Sequence, residues 1–546
     1  MGLKLDRSAF VQRRGSRRRE PGKLGGAYVL LVLILSVPAW HLDAESFAEL
    51  QQRGIKAFQA GEFAAAERLF SELVQEDPSP EAFSYLATTE GAMGKYRQAI
   101  VHFQKSIALG NDTPFMRYNL ALSYQKDNQL ASAIRELNLA LVKNPQFTEA
   151  RYALGVAQLQ AGNPREALLN LKQTQNQLST KPEMWVNLVH AEFSAGDVKQ
   201  ALQVLDSSVD ALPENPRFFV ELAEVCLTYG QPQKARELLE NANESAPGDN
   251  RLKLLLAEVS LQVEEPQEAL AVLKDVPPTA GSPGQVDFLR GRASLLQGDL
   301  KAADVLLDAA VAADPKSIDY ISAHAELQAL QKNYEGALAS LKAAHEAHPD
   351  SPGLAYQTAF ICTLIHRYAE AMGMCQEAIQ LDPNFDEAYF LLGAIQFEQN
   401  EWLPAEAAFR HALALRPRSA SYQAALGAAL FNAGSVPASR HELDESLTLD
   451  PHTLTAYFWR AQLFALQNEP EKAIADLEVF VALDANYREA YEWLVRLYTA
   501  EKQTAKAADA QAKYNALEQQ IGPPHVPLFL QQLGLLHFLQ ARGVTK

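Results

Sequence analysis

One column of small residues constrains this chain more than any other feature. Written in rows of 34 from Pro80, the sequence places Ala99, Ala133, Ala167, Ala201, Ala235, Ala269, Ala303, Ala337, Ala371, Ala405, Ser439, Ala473 and Ala507 one beneath another. A row one residue shorter, beginning at Phe47, adds Ala66. Twelve places upstream runs a second small column, with Gly54, Ala121, Gly155, Ala223, Gly291, Ala325, Gly393, Gly427 and Ala461. Four places after the alanine stands a large apolar residue, as at Phe70, Phe103, Leu137, Leu171, Phe409 and Leu443. Proline closes many rows, at Pro78, Pro145, Pro213, Pro247, Pro315, Pro349, Pro383, Pro417 and Pro451. Four columns in phase over such a length mean one supersecondary unit copied and stacked.

Each column has a physical purpose. A row contains two apolar-periodic segments of roughly 14 residues, each enough for a helix of about 20 Å. Between them falls Gly or Asn, as at Gly61, Gly94, Asn128, Gly162, Gly196, Gly230, Gly298, Asn400, Gly434 and Asn468, the residues that close a helix in the left-handed conformation. Pro164, Pro232, Pro266 and Pro470 then suit a first helical turn, where a missing N–H costs nothing. Small residues let two helices approach closely, and the large apolar residue fills the groove beside them. The closing proline ends the second helix.

The pattern resembles the tetratricopeptide repeat, W-x2-L-G-x2-Y…A-x3-F…P. Trp185-Val186-Asn187-Leu188 and Tyr389-Phe390-Leu391-Leu392-Gly393 match its first half; Ala405-Glu406-Ala407-Ala408-Phe409, followed by Pro417, match its second. The resemblance covers residues 47–521. It implies an all-α, right-handed superhelical solenoid of about fourteen hairpins. It also implies that first helices line a concave groove, with the second, fifth, ninth and twelfth residues of each row facing inward. By that rule Tyr356, Phe360, Phe390, Phe397, Phe431 and Phe458 are expected to receive a partner segment, and Tyr118, Asn119 and Tyr152 form a second candidate patch. Two specialised modes of the family do not fit. The places that would form a carboxylate clamp hold Tyr118, Leu122, Ala153, Glu183 and Asn187, and only Asn119 and Asn187 fall in the column of an asparagine ladder.

Outside the repeats, residues 1–44 carry eight basic side chains and three acidic ones, and the apolar run Ala27–Val37 follows the basic stretch. Small residues at Ala39 and Ala44 supply cleavage points, so residues 1–44 are expected to be a signal peptide or an N-terminal membrane anchor. Either places the body outside the cytoplasm, periplasmic or tethered to an inner membrane. The array is expected to divide into 47–276 and 285–521 around a Pro/Gly-rich break or hinge at 277–284. Residues 525–546, rich in leucine and phenylalanine (Leu528, Phe529, Leu530, Leu533, Leu535, Leu536, Phe538, Leu539), are expected to form a capping helix and tail.

Nothing in the sequence announces catalysis. GxGxxG, GxxxxGK[ST], GxSxG and HExxH are all absent. No cofactor, metal or small-molecule substrate is expected. His345 and His348 share a helical face without a third ligand. Cys226, Cys362 and Cys375 form no framework, although Cys362 and Cys375 lie on facing helices of one hairpin and could pair. The formal net charge is −17; beyond residue 44 the chain carries 41 basic and 63 acidic residues, a formal −22. A body so acidic repels phosphate backbones, so nucleic acid is not an expected partner. The expected function is that of an exported bacterial scaffold binding a protein or peptide, in envelope assembly or secretion. The alternative is an accessory subunit of a separately encoded enzyme.

Overall fold

The computed structural model describes residues 44–213 and 215–520. The basic N-terminal stretch, the proposed tether Ala27–Val37 and the capping helix expected at 525–546 lie outside them. The described residues form 28 helices and no strand, joined as fourteen antiparallel hairpins. The chain divides into two compact units between Leu252 and Lys253, inside the helix Asn250–Gln262.

The first unit contains the hairpins Ala44–Gln59/Phe63–Glu76, Pro80–Ala92/Tyr96–Ala108, Pro114–Lys126/Leu130–Lys143, Thr148–Gln160/Pro164–Leu178, Pro182–Ser194/Val198–Ala211 and Pro216–Thr228/Pro232–Ser245. After the short helix Pro266–Leu273, the second unit continues with Gln285–Leu296/Leu300–Ala313, Ile318–Leu330/Tyr334–Ala347, Pro352–Leu364/Tyr368–Leu381 and Asp386–Glu398/Trp402–Leu415. It ends with Ala420–Asn432/Val436–Leu449, Leu454–Leu466/Pro470–Leu483 and Arg488–Ala500/Thr504–Gln520. Threonine and serine cap first helices where the chain enters a new row: Thr113 accepts from the Met116 N–H, and Ser351 from that of Leu354.

The two small columns and the large one prove to be parts of a single contact. A methyl group added at Gly393 would lie 2.7 Å from the Phe409 ring, and one at Gly427 would lie 2.7 Å from Leu443 Cγ. Gly155 stands in the same relation to Leu171, and Gly291 to Leu307. The alanine column is fully buried, from Ala66 to Ala473. Its one serine, Ser439, is accommodated because its hydroxyl donates to the Gly427 carbonyl at 2.7 Å.

Between the two helices of a hairpin the backbone turns left-handed, at φ +77° for Gly94 and +63° for Asn400. Glu264, Lys332, His366 and Lys502 adopt the same conformation at φ +62°, +63°, +59° and +56°. The turn is therefore imposed by the hairpin geometry even where the side chain does not favour it.

Within each unit, first helices touch the first helix of the next hairpin. Pro182–Ser194 meets Pro216–Thr228, and Ala420–Asn432 meets Leu454–Leu466, whereas successive second helices make no comparable contact. Each stack therefore curves with its first helices on the inner side.

The Pro/Gly-rich segment ends a helix early, as its composition predicts: Pro266–Leu273 is eight residues long. It is pinned in place. Arg290 Nη2 donates to the carbonyls of Leu273 and Val276 at 2.7 and 2.9 Å, and the Tyr320 hydroxyl donates to the Pro283 carbonyl at 3.2 Å. These bonds come from the following hairpins of the same unit, so 277–284 is a fastened turn. The division between units falls earlier in the chain.

Inward polar groups of the second unit are deeply buried. Ser322 Oγ donates to Gln357 Oε1 at 2.9 Å. One turn further, Glu326 is 1% exposed, and its Oε2 has no hydrogen-bond partner. Burial pushes its carboxyl up to about 8, against the opposing pull of Arg292. The thiols of Cys226, Cys362 and Cys375 are free and buried. Burial raises Cys226 to about 12 and Cys362 to about 11, and lifts Cys375 further, with Cys362 adding to the rise.

Three outcomes are expected. Replacing the fully buried Ala337 by leucine crowds a closed helix crossing and lowers stability by about 1–3 kcal/mol in urea unfolding. Glu326→Gln stabilises the fold with a pH-dependent difference. The folded carboxyl holds its proton up to about pH 8 while the unfolded one loses it near 4.5, so the wild type pays progressively between these values. The melting-temperature gap between variant and wild type therefore widens from pH 5 to pH 8, and a constant gap refutes the assignment. A thiol reagent without reductant finds three reactive groups only after unfolding; a single one would mean that Cys362 and Cys375 are bridged.

Candidate partner-binding face

The open inner face lies in the first unit, on the helices Pro114–Lys126, Thr148–Gln160 and Pro182–Ser194. Their inward positions present Phe115, 38% exposed, beside half-buried Tyr118, Leu122, Tyr152, Val156, Val186 and His190. Tyr118, Tyr152 and Val186 stand 34 residues apart, as do Leu122, Val156 and His190, so each of these two rows continues from one first helix to the next. Tyr118 packs against Phe147, with ring centroids 5.2 Å apart.

Hydrogen bonds between successive hairpins hold this face in shape. Asn187 Nδ2 donates to the Tyr152 hydroxyl at 2.8 Å and to the Glu183 carbonyl at 2.7 Å. Gln125 Nε2 donates to Gln160 Oε1 at 2.8 Å. Burial pushes the Tyr152 phenol up to about 12, and Asn187 opposes that rise. The hydroxyl thus stays neutral at any physiological pH. Glu149 and Glu183 stand exposed at the edge, and neither Lys nor Arg occupies the twelve inward positions of these three helices. The surface is apolar and aromatic within and acidic at its rim.

The residues expected from the sequence to line a groove separate into two groups. Tyr118 and Tyr152 are at the open face. Asn119 is only 4% exposed, packed inside its hairpin. In the second unit Tyr356, Phe360, Phe390, Phe397 and Phe458 are all buried, at 0, 1, 1, 7 and 6% exposure. Tyr356 packs on Phe385 at 5.2 Å, and Phe390 sits between Phe409 and Tyr422 at 5.4 and 4.7 Å. Phe397 meets Trp402 and Trp459, and Phe458 meets Phe480 and Tyr487. Phe431 is half-buried against Trp459 at 5.9 Å. These rings pack both inside their own hairpins and across to others, because a large aromatic side chain that reaches a neighbour gains more from it than from solvent. As a ready-made receptor the six are corrected to core or seam residues. Phe115, Val156 and Val186 were not singled out from the sequence, although the same positional rule selects them.

Among the described residues no group of three or more His, Cys, Asp or Glu side chains gathers as a metal site, and no helix is long and apolar enough to cross a membrane. His345 Nε2 pairs with Glu377 at 3.1 Å, in the next hairpin. A cavity of about 220 Å³ opens between Leu300–Ala313, Ile318–Leu330 and Tyr334–Ala347. Its lining mixes Val311, Ile321, Ala343 and Ala347 with Lys316 and His324, the last paired with Asp308 at 3.0 Å.

Two sequence models, both described as tetratricopeptide repeat, match the chain. One matches residues 192–259, 227–286 and 366–430, the other residues 118–173 and 424–487. Together they span half of it. No curated protein matches. Among solved structures, the APC/C hetero-tetramer Cut9–Hcn1 is 15% identical, with a TM-score of 0.43 over 83% of this chain and 96% of that one. The yeast Tom70 structure is 14% identical, with a TM-score of 0.34 over 91% and 95%. The MamA structure is 20% identical, with a TM-score of 0.30 over 32% and 95%. Family models matching half of the sequence, on a chain built of helical hairpins at a 34-residue spacing, establish that this protein belongs to the tetratricopeptide repeat family.

Proposed function

We propose that this chain is a non-enzymatic scaffold that holds a protein segment against the inner face of the hairpins spanning residues 114–211. Repeats of this family are generally interaction modules, and the finer reading rests on one observation: the run of half-buried apolar and aromatic side chains from Phe115 to His190. Side chains of this kind offer large contact area for little conformational entropy. The acidic rim at Glu149 and Glu183 favours a partner segment that mixes apolar residues with Lys or Arg.

The place of action we propose is outside the cytoplasm of a bacterium, in cell-envelope assembly or secretion, with the body exported or tethered through Ala27–Val37. Support comes from the basic-then-apolar order of residues 1–44. A reporter enzyme active only outside the cytoplasm, fused after Gln520, is expected to be active; an inactive reporter rejects export.

Tyr118→Ala combined with Tyr152→Ala is expected to weaken capture of the partner at least tenfold in quantitative pull-down from a membrane fraction, with far-ultraviolet circular dichroism unchanged. Each ring is half-buried at the surface, where truncating a central aromatic typically costs about 1–2 kcal/mol of binding. Retained binding with normal helicity rejects this face. Loss of helicity reassigns the two tyrosines to the core.

A further inference from the structure

One seam of the second unit is left unfilled. Between Leu300–Ala313, Ile318–Leu330 and Tyr334–Ala347 lies the cavity of about 220 Å³. Two departures from the repeat account for it, and both residues line it. Ala347 stands where the next four hairpins carry Leu381, Leu415, Leu449 and Leu483. Each of those leucines is 36–44% exposed, hence more than half covered by its surroundings. His324 stands where other rows carry leucine, as at Leu154, Leu188, Leu392 and Leu426. The rest of the lining from Tyr334–Ala347 is Ser340, Ala343 and Ala344, so no large apolar side chain reaches into the gap from that helix.

The polar groups in the lining are not used by the fold. Among the described residues, Lys316 Nζ, Ser340 Oγ and the His348 ring make no hydrogen bond or ion pair. His348 Nε2 is buried as well as unpartnered, a condition most buried polar atoms avoid. Lysine and serine both donate hydrogen bonds. No Asp or Glu lines the cavity, in a chain with 66 acidic and 49 basic side chains. The nearby acid Asp308 is already held by His324 at 3.0 Å. Val311, Pro315 and Ile321 make the remaining walls apolar. An aliphatic compartment with a few unengaged donors is the general form of a small-ligand site.

We propose that this cavity binds a small branched aliphatic carboxylate, with its chain among Val311, Ile321 and Ala347 and its carboxylate against Lys316 and Ser340. The size agrees. A cavity of about 150 Å³ takes up benzene, so this one has room for a chain of about five or six carbons. The same chemistry belongs to a free acid and to the last residue of a protein chain that ends in leucine or valine. For so few atoms a Kd on the order of 1 mM is expected.

The test is saturation-transfer NMR on the full chain with isocaproate. Transfer to the isocaproate methyl groups is expected in the wild type and absent in Ala347→Leu. That variant fills the gap with the side chain found at the same place in the next four hairpins, so its melting temperature should equal or exceed that of the wild type. Lys316→Gln/Ser340→Ala, which leaves the apolar walls intact, should bind at least tenfold more weakly. Isocaproamide, the neutral analogue, should likewise bind the wild type at least tenfold more weakly than the acid. N-acetylglycylleucine separates the two sources: tighter binding than isocaproate assigns the site to a chain terminus, weaker binding to a free acid. No transfer in the wild type, undiminished transfer in Ala347→Leu, or equal binding of acid and amide would overturn the proposal. None of these residues belongs to the open face at 114–211, so failure here leaves the partner-binding reading to its own test.

Discussion

Everything in this protein depends on one contact: a residue without a side chain, or nearly so, on the first helix of a hairpin, met by a large apolar side chain from the second. Where Gly393 faces Phe409 or Gly427 faces Leu443, even one added carbon would be too close. That clearance sets how near two helices can lie, and with it the angle of the hairpin and the side left over for neighbours. A hairpin of this kind cannot bury its own apolar surface, so it is stable only in a stack. The tight crossings also explain why first helices approach one another along each unit while second helices do not. The curvature that yields an inner face is a packing consequence of alanine and glycine.

Once an inner face exists, the residues that point into it decide whether it is a surface or a seam. In the first unit they are a row of half-buried rings and aliphatic side chains, held by bonds such as Asn187 to Tyr152, with acidic residues at the edge. In the second unit the corresponding rings reach their neighbours instead. Phe390 is held between Phe409 and Tyr422, and Phe397 lies against Trp402 and Trp459. Polar groups there go under with them, including Glu326 and Gln357, each with one atom unsatisfied. An unpaired buried polar atom costs about 1–3 kcal/mol. Such costs are tolerated in a stack because every additional hairpin contributes its own apolar seam.

Much of the architecture was legible in the residues. The four columns predict helices, turns and hairpin order, and prolines such as Pro164 and Pro470 stand at the first turns where they were expected. The Pro/Gly-rich stretch does shorten a second helix. What it does not do is separate the units, because Arg290 and Tyr320 tie it down, and no local composition announces hydrogen bonds from the hairpins that follow. The left-handed turns at Glu264, Lys332, His366 and Lys502 were likewise hidden, since the conformation there follows from closing the hairpin. The positional rule selects Phe115 and Val186 as readily as Phe360 and Phe390, and favouring aromatic content pointed to the latter pair, which is buried.

The sequence by itself determined that this chain is an all-α stack of hairpins with a 34-residue spacing. Side-chain size at three columns leaves only one way for each pair of helices to close, and that information is local to a row. Only the tertiary structure decided which inner face is open. Whether a ring that points inward meets solvent or another ring depends on how closely the next hairpin approaches and on what else lies against it, and neither quantity is written in the row that carries the ring.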